Sequence, residues 1–142
     1  MPYWTTLFAH PDRLPLSAST SPADVEALLG PPSARHRDGR IVSLEYWPET
    51  AGALWVFSWQ GGALLSVEIL YRERRAAAAA LPEWVTALTS VPATFADFRA
   101  DVVREGAPVV EKSDDGWTLL SAATAEAKFD GDALYSLYFT WP

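Results

Sequence analysis

The chain contains no cysteine. That one absence excludes disulfide scaffolds, cysteine-ligated zinc, iron–sulfur clusters and thiol nucleophiles together. Histidine is nearly as scarce, with only two, His10 and His36. His10 precedes Pro11, and His36 stands in Arg35-His36-Arg37-Asp38, which reads as a loop ahead of a strand. Neither lies at metal-ligand spacing from another histidine or a carboxylate, and no nucleophile elbow accompanies them. A hydrolase triad would have to recruit one of these two side chains. The longest apolar run, around Ala76 to Leu81, is too short to span a bilayer. The segment Met1 to Phe8 carries no basic region, and its apolar character stops at His10-Pro11-Asp12-Arg13, so no signal peptide is read and a cytoplasmic location is expected.

Phosphate-binding and cation-binding patterns are missing too. Gln60-Gly61-Gly62-Ala63 is the only double glycine and lacks both the lysine of a phosphate loop and the third glycine of a dinucleotide fingerprint. Asp114-Asp115-Gly116 and Asp130-Gly131-Asp132 read as turns, where aspartate is favoured for backbone reasons, and no calcium-loop spacing surrounds them. Nothing in the pattern asks for a metal or a cofactor, and a non-enzyme is expected with no catalytic residue.

Positive charge is in short supply: 11 Lys and Arg stand against 18 Asp and Glu, a net of −7. Up to Pro82 there are eight acidic and seven basic residues, a net of −1; from Glu83 onward there are ten and four, a net of −6. This balance argues against nucleic acid as a partner and for a basic protein partner, although solubility alone also accounts for it. Arg72-Glu73-Arg74-Arg75 is the one basic cluster, and without interleaved aromatics it reads as a solvated helix end.

What is abundant is apolar and aromatic surface: 49% of the 142 residues are hydrophobic and 13% aromatic, including seven Trp. A chain of this size and composition folds as a single domain over 1–142. An internal repeat organises it. Ser21-Pro22-Ala23-Asp24-Val25-Glu26-Ala27 is echoed by Thr94-Phe95-Ala96-Asp97-Phe98-Arg99-Ala100, each a hydroxyl residue followed three positions later by Asp, the pattern of a capped helix start. Leu28-Leu29-Gly30-Pro31-Pro32 and Arg104-Glu105-Gly106-Ala107-Pro108 are matching helix stops. Asp38-Gly39 corresponds to Asp115-Gly116, each feeding a strand, Ile41 to Trp47 and Trp117 to Ala122. The stretch Trp59 to Val67 then matches Phe129 to Leu137, both strand, tight glycine turn, strand.

Each half, about 19–72 and about 93–142, thus reads as a capped helix followed by an antiparallel meander of three or four strands. A linker over about 73–92 holds a broken or short helix around Leu81 to Leu88. The class is α+β: two tandem helix-plus-meander repeats joined into one curved sheet with the helices on one face.

The helix end at Leu28-Leu29-Gly30-Pro31-Pro32, the strand Asp38 to Tyr46 and the hairpin Phe57 to Val67 resemble the helix-plus-meander unit of the β-lactamase inhibitory protein superfamily. That superfamily also holds small outer-membrane assembly lipoproteins with a single copy of the unit. Two copies in tandem resemble the inhibitor's architecture, in which two sheets join into a concave, aromatic-rich face that grips an enzyme. The layout is also similar to bacterial immunity proteins that neutralise polymorphic toxins. The resemblance covers most of the chain after residue 20 and rests on turn and cap signals. It implies a protein-binding inhibitor. The inhibitor is secreted and disulfide-bonded and the lipoproteins carry a lipidated cysteine, so a chain without cysteine points to an intracellular target instead.

Strand alternation sorts the meander into two faces. Trp55, Phe57 and Trp59, then Leu65, Val67, Ile69 and Tyr71, form the expected core-facing stripe, with Phe129, Tyr135, Leu137 and Phe139 as their counterparts. The opposite face mixes Ser43, Glu45, Trp47, Val56, Ser58, Ser66, Glu68 and Leu70 with Glu126, Lys128, Ser136, Tyr138 and Thr140. Aromatic anchors among carboxylates have the composition of an interface, unless the first twenty residues cover them. Trp47 to Gly52 is an insertion the second half lacks, since Asp38 to Gly61 spans 23 positions against 16 from Asp115 to Gly131. The expected partner-binding residues are Glu45, Trp47, Glu49, Val56, Glu68, Leu70, Glu126 and Tyr138. The leading expectation is an immunity-type inhibitor of an intracellular toxin or enzyme, with no nucleic acid or membrane partner. The alternative is a small-molecule or peptide-binding domain using the concave sheet face.

Overall fold

A computed structural model describes residues 3–77 and 80–141. The expected linker runs through positions 78 and 79, which lie outside the described residues, as does the last residue of the second half. The chain forms helices α1 (Tyr3–Ala9), α2 (Pro22–Leu29), α3 (Pro48–Ala51), α4 (Glu83–Thr89) and α5 (Phe95–Glu105). Its strands are β1 (Ala34–Asp38), β2 (Ile41–Tyr46), β3 (Leu54–Gln60), β4 (Ala63–Leu70), β5 (Val110–Asp114), β6 (Trp117–Ala122), β7 (Ala125–Asp130) and β8 (Ala133–Thr140). The fold is α+β, with all eight strands in one open antiparallel sheet of order β1-β2-β3-β4-β8-β7-β6-β5.

The caps form where the hydroxyl residues stand. The Ser21 hydroxyl accepts from the Asp24 N–H at 3.1 Å while the Asp24 carboxylate accepts from the Ser21 N–H at 2.9 Å, a complete capping box. In the second half the Thr94 hydroxyl accepts from the Asp97 N–H at 3.3 Å. Each capped segment is pinned to the hairpin of its own half in the same way: Leu64 N–H donates to Ala18 O at 2.9 Å, and Leu134 N–H to Ala93 O at 2.8 Å. Two β-bulges also match, one between Ser58 and Trp59, the other between Lys128 and Phe129. The two halves share element order, turn positions and irregularities. Their antiparallel contact at β4–β8 relates them by an approximate two-fold axis.

The register refines the match by one residue. Asp38 ends β1 opposite Ile41, and Asp114 ends β5 opposite Trp117, so the partner of Asp38 is Asp114 and not Asp115. Gly39, with φ 62°, is then equivalent to Asp115, with φ 50°, and both halves turn through the left-handed region at the same place. Likewise β2 ends at Tyr46, one residue short of the expected Trp47, which becomes the residue preceding α3.

One apolar cluster lies between the sheet and the helices. Trp55, Phe57, Trp59, Leu64, Val67 and Ile69 meet Val25, Trp84, Val85 and Leu88 in the first half. In the second half Ala122, Ala125 and Ala127 are small, and the rings come from the helices: Phe98 lies 5.3 Å from Phe129, 5.2 Å from Phe8 and 4.5 Å from Trp4.

The bulges overturn two expected core positions. Each inserts one residue and so reverses the alternation beyond it. Leu64 is therefore buried and Leu65 is 42% exposed; Leu134 is buried and Tyr135 is turned outward. The described residues before α2 turn their apolar side chains to the helix side of the sheet and not to the open face. Trp4, Leu7, Phe8, Leu14 and Leu16 join the core on the helix side. Helix α1 gave no signal in the sequence: Tyr-Trp-Thr-Thr-Leu-Phe-Ala is poor in helix formers and lacks a cap, and burial against α4 and α5 holds it. In the linker the helix is short, as expected, and begins only at Glu83.

Candidate functional site

The opposite face of the sheet carries no helix among the described residues, and the strand register places its side chains in rows. One row crosses all eight strands: Ala34, Glu45, Val56, Glu68, Tyr138, Glu126, Ser121 and Val110 pair in succession. With strands about 4.8 Å apart, Glu45 and Glu126 stand roughly 19 Å from one another along it. Five of the expected contact residues, Glu45, Val56, Glu68, Glu126 and Tyr138, thus share one line, while Leu70 lies in the next row beside Leu54 and Ser136. Among the described residues eight large apolar side chains are exposed, and five of them project from this face: Ile41, Trp47, Leu65, Val110 and Tyr138. That concentration makes the face, and not the helix layer, the surface to examine.

Glu68 is the central carboxylate of the row. Burial between its neighbours pushes its carboxyl above the usual range, and the Lys128 ammonium pulls weakly the other way. Lys128 itself sits 4.3 Å from the centre of the Trp117 ring, and the Tyr135 ring meets Trp117 edge-on at 5.1 Å. Strand alternation alone puts Tyr135 on the core side, so the sequence does not point to this Trp117–Lys128–Tyr135 group. A bulge signal at the matching turn was the missing information.

At the first-half end, Trp47 stands between β2 and α3, as the residue preceding the helix. Its backbone N–H donates to the Ser33 hydroxyl at 3.0 Å, and its indole N–H donates to Glu45 at 3.3 Å. The other Glu45 oxygen lies 2.7 Å from His36 Nε2. His36 is therefore not a loop residue: it is in β1, opposite Ser43, and touches a carboxylate that sequence spacing did not connect to it. Among the described residues no group of three or more His, Asp or Glu is arranged to hold a metal ion.

The insertion at 47–53 replaces a turn of only residues 123–124 in the second half, and it builds one wall of a cleft of about 540 Å³. Leu54 and Leu70 form the apolar floor, Trp47 and Tyr135 stand at the sides, and Glu45, Glu49, Glu73 and Arg72 form the rim. Glu49 is held by Arg75 at 3.4 Å. Glu45, Trp47, Glu49 and Leu70 are thereby brought together in one concavity; Val56, Glu68, Glu126 and Tyr138 continue the surface away from it.

Fold and site together define an α+β protein with helices on one side of a single sheet and an uncovered acidic and aromatic face on the other. No protein-family model matches the chain, and no curated protein matches it. Among solved structures it is similar to a cysteine-rich secretory protein from Staphylococcus aureus subsp. aureus Mu50, with a TM-score of 0.47, 8% identity and coverage of 87% of this chain and 43% of that one. It is similar also to an extracellular protein containing a SCP domain from Bacillus anthracis str. Ames, with a TM-score of 0.47, 7% identity and coverage of 87% and 43%. The chain thus spans less than half the length of either. No helix of the described residues is long and apolar enough to cross a membrane.

Proposed function

We propose that this protein is a non-enzymatic inhibitor of the immunity type, which acts in the cytoplasm by binding and neutralising a toxin or enzyme through its open sheet face. The observation that carries this reading is the uncovered row from Glu45 to Glu126, which includes Tyr138, with the exposed Trp47 beside Glu45. Among the described residues five of eight exposed large apolar side chains gather on that face. Aromatic anchors supply binding energy, and carboxylates around them favour a basic partner and set its orientation. The net charge of −7 adds long-range attraction for such a partner.

The test is to capture the partner on immobilised protein and compare Trp47→Ala, Tyr138→Ala and Glu45→Lys with the wild type. Each aromatic truncation is expected to weaken binding by ~2 kcal/mol, roughly thirtyfold. Glu45→Lys is expected to slow association, with the effect shrinking as salt screens it. The captured partner's own activity should fall in the presence of wild-type protein. Undiminished affinity in all three folded variants would move the site off this face. One observation favours a second reading, a small-molecule or peptide-binding domain. The 540 Å³ cleft beside Trp47 has the size of a ligand pocket.

A further inference from the structure

We infer that the cleft beside Trp47 is a socket for an arginine side chain presented by the partner protein. This inference rests on the proposed function and names the chemistry of one contact within it. The cleft has three parts that fit a guanidinium on an aliphatic stem. Leu54 and Leu70 offer an apolar floor for the methylenes. The Trp47 and Tyr135 rings stand at its sides, and Trp47 is 46% exposed, so its ring is available for stacking. Glu45, Glu49 and Glu73 on the rim set three carboxylates against the guanidinium of Arg72 within the lining and that of Arg75 beside Glu49, which leaves the cleft with an excess of negative charge.

The existing partners of these groups decide which is free to act. Glu49 is engaged by Arg75 at 3.4 Å, and Glu45 lies between His36 at 2.7 Å and the Trp47 indole at 3.3 Å. Glu73 makes no ion pair among the described residues and is exposed, so it is the carboxylate ready to receive a fork of two N–H groups. Glu45 does a different job: its hydrogen bond to the indole N–H holds the Trp47 ring in place. A planar guanidinium can stack and at the same time donate two directed hydrogen bonds to one carboxylate, which an ammonium cannot. Trp47, Pro48 and Glu49 of the 47–53 insertion line the cleft, where the second half has only the turn at 123–124.

The experiment uses N-acetyl-arginine amide as probe and its uncharged isostere, N-acetyl-citrulline amide, as control. Binding is followed by the indole N–H resonance of Trp47 in proton–nitrogen NMR spectra, assigned by its loss in Trp47→Phe. The arginine probe is expected to give a saturable shift of that resonance, with the citrulline probe about tenfold weaker or worse. Glu73→Gln should weaken the arginine probe severalfold, and raised salt should weaken it too. Equal binding of both probes, or no shift with either, overturns the inference. If the arginine probe fails while Trp47→Ala still releases the partner, the arginine socket falls and the proposed function stands. If the arginine probe binds but Trp47→Ala, Tyr138→Ala and Glu45→Lys all leave partner capture intact, the partner docks elsewhere and both fall.

Discussion

Glu68 and Tyr138 occupy the same position in the two halves and pair with one another across the β4–β8 seam, so the approximate two-fold axis of the protein passes between a carboxylate and a phenol. The residues equivalent about this axis show what each face of the sheet has to satisfy. On the core side Leu44 matches Leu120, Trp59 matches Phe129, Leu64 matches Leu134 and Ile69 matches Phe139, all buried and apolar. On the open side Glu45 matches Ser121, Val56 matches Glu126 and Glu68 matches Tyr138. Folding constrains the first set through burial and leaves the second free. The open face of one half is therefore chemically unlike that of the other, as a surface shaped for an asymmetric partner would be.

That division predicts how stability responds to truncation. Trp55 and Phe57 are fully buried, whereas Trp47 and Tyr138 are 46% and 37% exposed. Trp55→Ala and Phe57→Ala should each cost ~3–5 kcal/mol and leave little folded protein. Trp47→Ala and Tyr138→Ala should cost about 1 kcal/mol or less. Urea unfolding of the four variants checks this, and a large loss in Tyr138→Ala would give the phenol a structural role.

The two helix caps offer a paired comparison within one molecule. Ser21 takes part in two reciprocal hydrogen bonds with Asp24, at 3.1 and 2.9 Å, whereas Thr94 takes part in one, at 3.3 Å. Ser21→Ala is expected to destabilise by ~1 kcal/mol and Thr94→Ala by less. The ranking is read from urea midpoints measured in the same buffer, and a reversed order would contradict it.

The helix caps, the glycine stops and the hairpin turns were legible because each depends on residues within a few positions of one another. So was the stripe of Trp55, Phe57 and Trp59, which follows from the two-residue period of a strand. What stayed hidden depends on register. A bulge adds one residue to one strand of a pair, and nothing local in Ala63-Leu64-Leu65-Ser66 announces it, so Leu65 and Tyr135 fell on the wrong face. The His36–Glu45 contact arises from cross-strand pairing, and the eight residues between them carry no hint of it. The cleft depends on the second of these bulges, because it turns Tyr135 outward to line it. Trp47 was found by alternation and by the visible insertion around it.

The insertion that carries Trp47 is anchored at Gly52. This residue has φ 82°, and a Cβ there would lie 3.4 Å from Arg75 O and from the Thr89 side chain. Its carbonyl also accepts the Arg75 N–H at 2.9 Å. Gly52→Ala should cost ~1–2 kcal/mol for the left-handed backbone alone. It should also loosen the wall of the cleft, weakening partner binding beyond what the stability loss explains. Calorimetry and binding measured well below the melting temperature separate the two effects.

The Glu68 carboxyl makes a prediction whose sign follows from its environment. Burial holds its proton-binding affinity above that of an ordinary glutamate, with Lys128 opposing as the smaller influence. As pH rises through the ordinary carboxylate range, the unfolded chain releases this proton first and the folded protein retains it. The unfolded state therefore binds fewer protons in the window between the ordinary value and the raised one, and stability contributed by this group falls as pH rises through it. Glu68→Gln removes the ionisation while keeping the shape. The melting temperature of Glu68→Gln relative to the wild type is expected to be more favourable at pH 7 than at pH 4. Lys128→Met, which removes the opposing charge, should widen the difference. A partner that brings a positive charge to this row would favour the ionised form, so binding near the raised value should release a proton, detectable as a buffer-dependent enthalpy in titration calorimetry. A difference between Glu68→Gln and wild type that stays constant from pH 4 to pH 7 would show that burial of this carboxyl carries no such cost.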